Sequence, residues 1–449
     1  TTDYGKSWTK ITGGIPEDDF TRAIREDPGQ RGLLYAGTET GIYFSPDDGV
    51  NWQRLGGNFP VVPVHDLVFA NDNLVVGTHG RSFWIFDDVT LMRQIAEESA
   101  PTEKPRLFAP RDTYRYGTMP GFGHEPVTGV NYAFAATQIP AYDYQKLPDG
   151  EVKVKWLDAG TNPPDGVIVH YALPDEPKGE VSLTFLTEDG KEIRTVKSKK
   201  KEDEKKADEF PPKVDDEEEK DEEPFVPASK GLNRFVWDLR YAPATKIASK
   251  GGDKPNRNGP KVVPGTYQVR LTVDGETMTD SVRVLKDPRQ ATTAQEFQAQ
   301  FDLLYKIHQK HDELNKAVNQ IRASRKQAAE WARRVKGTDA EEKITAAAKK
   351  LSEQLDAVEG ELLQMKIQSE QDSLNYPVKL NAKLAGLASM VGGSDTAPTK
   401  QAGELYEVLA KQVDAQLAKL KSVTRKDVAE FNALVKEVGV PAIGVTVAS

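Results

Sequence analysis

An eight-residue pattern occurs twice near the start of the chain, as "TTDYGKSW" at 1–8 and "SPDDGVNW" at 45–52. Each copy opens on a small polar residue, with an acid at its third position, Gly at its fifth and Trp at its eighth. The spacing has a mechanical reason. A carboxylate at position 3 (Asp3, Asp47) accepts backbone N–H groups across a tight hairpin turn, and Gly5 or Gly49 permits positive φ there. The indole at position 8 (Trp8, Trp52) is then expected on the following strand, packed under the turn. This predicts fold-stabilising turns of a β-repeat. It also accounts for the paired carboxylates Asp47 and Asp48 without catalysis.

The surrounding sequence agrees. Residues 1–96 carry short alternating runs such as "GLLYAGT", "GIYFS", "HDLVFA", "NLVVGTH" and "SFWIFDD", separated by Gly, Asp, Asn and Pro turns. The order also repeats, because "LLYAGTETGIYFSPDDGVNWQRL" at 33–55 is echoed by "NLVVGTHGRSFWIFDD" at 73–88. In each, a hydrophobic strand ends in Gly-Thr and an aromatic strand follows. Short-strand repeats of about 40–50 residues point to propeller blades.

Residues 97–126, rich in Pro, Gly and Arg, read as an ordered connector. Strands return over 127–289, with clean alternation in "TYQVRLTV", where Tyr267, Val269, Leu271 and Val273 share a face. Their number and spacing predict an immunoglobulin-like β-sandwich. It is interrupted at 197–228 by a run that passes from mostly basic to almost wholly acidic and cannot bury apolar area. An acidic run could attract calcium or a basic partner; a solvated loop is the expectation. Over 290–449, Leu304, Ile307, His311, Leu314, Val318 and Ile321 keep a helix seam, and Asp339 is the expected cap of the next helix. The expectation is an antiparallel helical bundle and a C-terminal tail. The fold class is therefore β plus α and multidomain: terminal propeller blades, sandwich, bundle.

Charge narrows the partners. The net charge is −9, with a sequence pI near 5.5, which argues against nucleic acid because phosphate binding wants a cationic face. No apolar run approaches the roughly 18 residues of a membrane span. The chain has no cysteine, which removes disulfides, thiolate metal sites and cysteine nucleophiles together. It opens on a motif with no initiator Met or signal segment, which predicts a mature N-terminus or a fragment.

"TDYGKSW" and "SPDDGVNW" resemble the Asp-box of BNR-repeat propellers, the family that includes sialidases and the sortilin ectodomain. The longer order of "VGTHGRSFWIFDD", "PPDGVIVHYAL", "GLNRFVWDLRYAP", "VVPGTYQVRLTVDG" and "LNYPVKLNAKLAGL" is similar to the C-terminal part of large bacterial proteins labelled BNR-repeat or sortilin-like glycosyl hydrolases. The resemblance implies that the Asp-box lies in a hairpin late in each blade, so that the chain opens inside a blade. A propeller needs at least about four blades to close. The missing blades are expected upstream, in the same polypeptide or as a separate chain.

The resemblance carries over no sialidase chemistry, which needs an arginine cluster, a Tyr nucleophile and acid/base carboxylates. His65 and His79 lie in the β-repeats, and His79 neighbours Arg81. These three could line a central funnel and bind a ligand; the plainer reading is of histidines fixing strand turns. His308 and His311 share a helix face beside Asp312, but without the HExxH spacing, and core or interface is the better reading. The Gly-rich stretch at 250–261 lacks the ending of a phosphate loop.

Three functions follow. The first is a non-catalytic binding or scaffold portion of an exported bacterial propeller protein, periplasmic or extracellular, recognising a protein, peptide or glycan and packing against upstream blades. The second is a glycoside hydrolase or lyase whose active site lies in blades absent from this chain. The third is assembly into homo-oligomers through the helical seam and the apolar end "GVPAIGVTV". No cofactor is required by the residues themselves.

Overall fold

The computed structural model describes residues 1, 3–97, 103–117, 127–132, 141–146, 152–157, 160, 163–199, 224–247, 256–367, 372 and 374–439. The charged run from 200 to 223, the first half of the Gly-rich stretch (250–255) and the apolar end from 440 lie outside them. The protein is mixed β plus α, with several largely antiparallel sheets followed by helices.

Strands β1 (Thr21–Glu26), β2 (Leu34–Thr38), β3 (Ile42–Ser45) and β4 (Gln53–Arg54) form a four-stranded antiparallel sheet in sequence order. Strands β5 (Val64–Ala70), β6 (Asn73–Thr78) and β7 (Phe83–Phe86) form a second, three-stranded one. Strand alternation sends Leu33, Tyr35 and Ile42 to one face of the first sheet, where they share a buried cluster with Val64, Leu67, Leu74 and Val76 of the second. Tyr35 meets Phe69 edge-on at 5.5 Å. Helix α1 (Thr90–Ala96) ties the two sheets, its Arg93 pairing with Asp27 at 2.8 Å and Asp72 at 2.7 Å.

The connector is partly sheet. Its β8 (Arg106–Leu107) and β9 (Thr113–Arg115) join two larger sheets built from β13 (Val167–Leu173), β14 (Ser182–Thr187), β15 (Glu192–Lys197), β16 (Gly231–Trp237), β17 (Gly265–Val273) and β18 (Glu276–Lys286). The orders are β16-β13-β8 and β15-β14-β17-β18-β9, with only β18 and β9 parallel. One buried cluster lies between them, in which Trp237 stacks on Phe185 at 4.5 Å and meets Tyr267 edge-on at 5.9 Å. Tyr267, Val269, Leu271 and Val273 are all buried, as their alternation predicts. Three further strands, β10 (Gly129–Tyr132), β11 (Ala141–Lys146) and β12 (Val152–Trp156), do not pair with these sheets and form a separate three-stranded one.

Helices α2 (Ala294–Arg334), α3 (Glu341–Leu362), α4 (Leu380–Gly392), α5 (Lys400–Val423) and α6 (Ala429–Glu437) share one apolar cluster, with a π-helical turn at Thr424–Val428. The expected seam buries Ile307, His311, Leu314, Val318 and Ile321. A capping box at Thr293 and Glu296 starts α2. The cap of α3 is Ala340 and not Asp339, because Thr338 Oγ1 takes the Ala340 amide and Glu341 Oε2 takes that of Gly337. Among the described residues, no helix is long and apolar enough to cross a membrane.

Candidate functional site

The two acid-containing turns have the same geometry. In the first, Asp3 Oδ1 accepts from the Ser7 amide at 2.9 Å, Asp3 Oδ2 accepts from Ser7 Oγ at 2.7 Å, and Thr1 Oγ1 accepts from the Gly5 amide at 2.7 Å. In the second, Asp47 takes the Asn51 amide at 2.8 Å and its Nδ2 at 2.7 Å, while Ser45 Oγ takes the Gly49 amide at 2.9 Å. Gly5 and Gly49 have φ of 83° and 86°, and the preceding Tyr4 and Asp48 are both at 61°. Hydrogen bonds from Ser7 hold Asp3 down to about pKa 2. Burial pushes Asp47 up, but the donors on Asn51 and Ser45 outweigh it and leave the acid below its usual range. Both carboxylates are spent on the turn.

Their tryptophans differ. Trp52 is 5% exposed, packs beside Ala36 and Tyr43, and its Nε1 donates to Ile11 O at 2.8 Å. Trp8 is 79% exposed, which corrects the expectation that it packs under its turn. The physical reason is local: Trp52 follows β3 and packs on Ala36 and Tyr43 of the sheet that β3 belongs to, whereas the residues around Trp8 join none of the described strands that could offer it such a surface. Replacing Asp47 by alanine should lower stability by about 1 kcal/mol, the usual cost of losing a turn-capping side chain. Chemical denaturation reads this directly.

The second repeated feature is at the opposite end of the hairpins. Both β2 and β6 end in Gly-Thr, at Gly37-Thr38 and Gly77-Thr78, and the register of the strand beside each slips there by one residue. The extra residue is Arg22 on β1 and His65 on β5. Each bulged side chain meets the residue that follows Gly-Thr. Arg22 Nε lies 2.5 Å from Glu39 Oε2, and the His65 and His79 rings stack at 5.2 Å, 14° from parallel. The backbone repeats too, with the Glu39 amide donating to Phe20 O and that of His79 to Pro63 O. Asp19 anchors the first loop by accepting from Thr38 Oγ1, Thr40 Oγ1 and the Thr40 amide. Burial pushes its carboxyl up, and these bonds bring it below the usual range.

This end therefore presents an ion pair and an imidazole pair side by side on the surface, with Phe20 under the Arg22 guanidinium at 4.8 Å and Arg81 exposed nearby in sequence. Sequence reasoning selected His65, His79 and Arg81, and the structure brings the two histidines together. It missed Arg22 and Glu39. Aligning the two Gly-Thr pairs would have found Glu39; Arg22 needs the strand register. Chemically, the surface offers donors, acceptors and flat faces for binding. Its one carboxylate among these residues, Glu39, is held by Arg22.

The other expected residues serve packing. His308, Asp312, Asn315 and Asn319 form a stripe on α2 that holds the extended segment 242–247 by its backbone: Asp312 Oδ1 accepts from the Thr245 amide, and Asn315 and Asn319 donate to the carbonyls of Thr245 and Lys246, each at 2.8 Å. A cleft of about 1050 Å³ opens where the sheet pair meets the two larger sheets. Much of its charge is internally matched, Arg93 to Asp72 and Arg289 to Asp287, with Asp112 paired to Arg283 at its edge. Among the described residues, no group of three or more His, Asp or Glu gathers to hold a metal.

No protein-family profile matches this chain, and no curated protein does. A solved structure titled pT26-6p aligns with 67% of the chain at 13% identity and a TM-score of 0.12, a score that carries no inference about fold or function. The chain spans about half, 49%, of that structure's length.

Proposed function

We propose that this chain is the non-catalytic binding and scaffold part of an exported Asp-box propeller protein. In this reading β1–β4 and β5–β7 are terminal blades, completed by further sheets of the same kind. The two larger facing sheets are an immunoglobulin-like sandwich, and α2–α6 an antiparallel bundle. The observation that carries it is the residue-by-residue repetition of one hairpin sheet by the next, bulge included, together with two superposable acid turns. Such repetition is a structural device. The residues that differ between the copies, Arg22 with Glu39 and His65 with His79, lie together on one exposed end, where a protein, peptide or glycan partner would be recognised.

Probing glycan and peptide arrays with the chain tests this. Binding is expected, and His79→Ala and Arg81→Ala should weaken it at least about tenfold, the effect of losing one well-placed polar contact. Thermal unfolding should not change, since both side chains are exposed. Binding untouched by either substitution would sink the site. Turnover of a glycan by the chain would replace the reading with the hydrolase one.

A further inference from the structure

Asn258-Gly259 is the only Asn-Gly step in the chain, and it lies at the described end of the Gly-rich stretch, just before β17. Segment 257–262 runs back along 239–244. Val262 N donates to Leu239 O at 2.7 Å, Tyr241 N to Pro260 O at 3.1 Å and Ala244 N to Arg257 O at 2.8 Å. Two guanidiniums reinforce the pairing, with Arg240 Nη1 donating to Gly259 O at 2.9 Å and Arg257 Nη1 to Ala244 O at 2.7 Å. The far end of that partner, 242–247, is the segment that α2 holds through Asp312, Asn315 and Asn319. Segment 257–262 therefore backs the join between the larger sheets and the helices.

Packing requires glycine at 259, where a Cβ would run into Tyr241 O. The missing side chain also removes the steric shield from the Gly259 nitrogen, which donates no hydrogen bond among the described residues. Asn258 is exposed, and its side-chain amide has no partner among them, while its backbone amide donates to Asn256 Oδ1 at 2.8 Å. The steps Asp48-Gly49 and Asp189-Gly190 differ in both respects. Each acid is a carboxylate, a poor target for a nucleophile, and each glycine amide is bonded, to Ser45 Oγ and to Thr187 O, both at 2.9 Å.

We propose that Asn258 is a modification site, at which the chain converts its own asparagine to isoaspartate and so loosens the join. The Gly259 nitrogen gives up its proton and attacks Asn258 Cγ. The new N–Cγ bond forms as the Cγ–Nδ2 bond breaks, and the amide nitrogen leaves with that proton as ammonia. Water then opens the succinimide. Addition at Cγ gives aspartate in the ordinary chain. Addition at the backbone carbonyl leaves a free α-carboxylate and a main chain that runs on through Cβ and Cγ, one atom longer. The extra atom falls between the Arg257–Ala244 and Pro260–Tyr241 contacts, which cannot both keep their register.

The test is to age the intact folded chain at physiological temperature and mildly alkaline pH and then map its peptides. The peptide spanning Arg257–Lys261 should gain the mass of an amide-to-acid exchange before any other asparagine peptide, and faster as pH rises. Its isoaspartate should accept methyl groups from S-adenosylmethionine through an isoaspartyl carboxyl methyltransferase. Asn258→Gln, at an exposed position, should abolish the product, because the longer side chain closes the ring poorly, and should start from the wild-type unfolding midpoint. After ageing, wild type should unfold about 2–4 °C lower, the shift from losing about one backbone hydrogen bond in a domain of this size, while the aged variant should not move. Conversion in the urea-unfolded chain but not in the folded one would overturn the proposal, since the fold would then shield Gly259. So would earlier conversion at another asparagine, or conversion at Asn258 that leaves the midpoint unchanged.

Discussion

Arg115→Ala should lower the stability of the protein by about 3–5 kcal/mol, the cost of breaking a buried ion pair by removing one partner. Arg115 is at the end of β9, 4% exposed, where the larger five-stranded sheet meets the helices. Its guanidinium donates to Val262 O at 2.8 Å, to Gln300 Oε1 at 3.0 Å and to Asp395 Oδ1 at 2.6 Å, and lies over the Phe297 ring at 4.9 Å. One side chain thus joins β9, the segment before β17, α2 and the loop between α4 and α5. Alanine leaves Asp395 and Gln300 facing an apolar gap. Arg115→Lys keeps the charge but loses the fork that spans three acceptors, and should recover only part of the loss. The check is the guanidinium midpoint of the helical circular dichroism signal. Equal midpoints for wild type and both variants would show that Asp395 and Gln300 find water instead.

What could be read from the sequence was local or periodic. The seam from Leu304 to Ile321 is visible because helical spacing is a property of one segment, and the alternation of Tyr267 to Val273 likewise. The acid turns are visible because eight residues contain every group that makes them. What was hidden depends on pairing between distant segments. Arg22 and His65 look unrelated in sequence and become equivalent only through a one-residue slip of register. The two short strands inside 97–126 carry no periodic signal of their own, and their place is set by β13 and β18. The separate sheet of β10, β11 and β12 has strands of ordinary composition; nothing in them says which sheet they join. Trp8 failed for a related reason: a motif specifies its turn, but burial needs a surface supplied from elsewhere.

His311 shows how the seam can mislead and what it predicts. It occupies a seam position, is 4% exposed, and its Nε2 has no hydrogen-bond partner among the described residues. It faces Asn381 on α4, His308 one turn earlier, Asp312 beside it and Arg257 from the segment before β17. Burial pushes its pKa from 6.5 down to about 4, and burial also lowers that of His308. The folded protein therefore refuses a proton that the unfolded chain accepts. Between pH 6.5 and 4 the unfolded state binds more protons, so stability rises with pH across that window and is lost as pH falls through it. At 1.36 kcal/mol per unit, His311 should contribute a loss of about 3 kcal/mol on going from neutral pH to about 4, with no slope from this residue above pH 7. Guanidinium unfolding at a series of pH values measures it. His311→Leu, similar in size and apolar like the rest of the seam, should flatten most of the slope and leave the part due to His308. Identical slopes in the two proteins would mean that His311 takes up its proton in the folded state, through an opening of α2 from α4 that the native packing does not show.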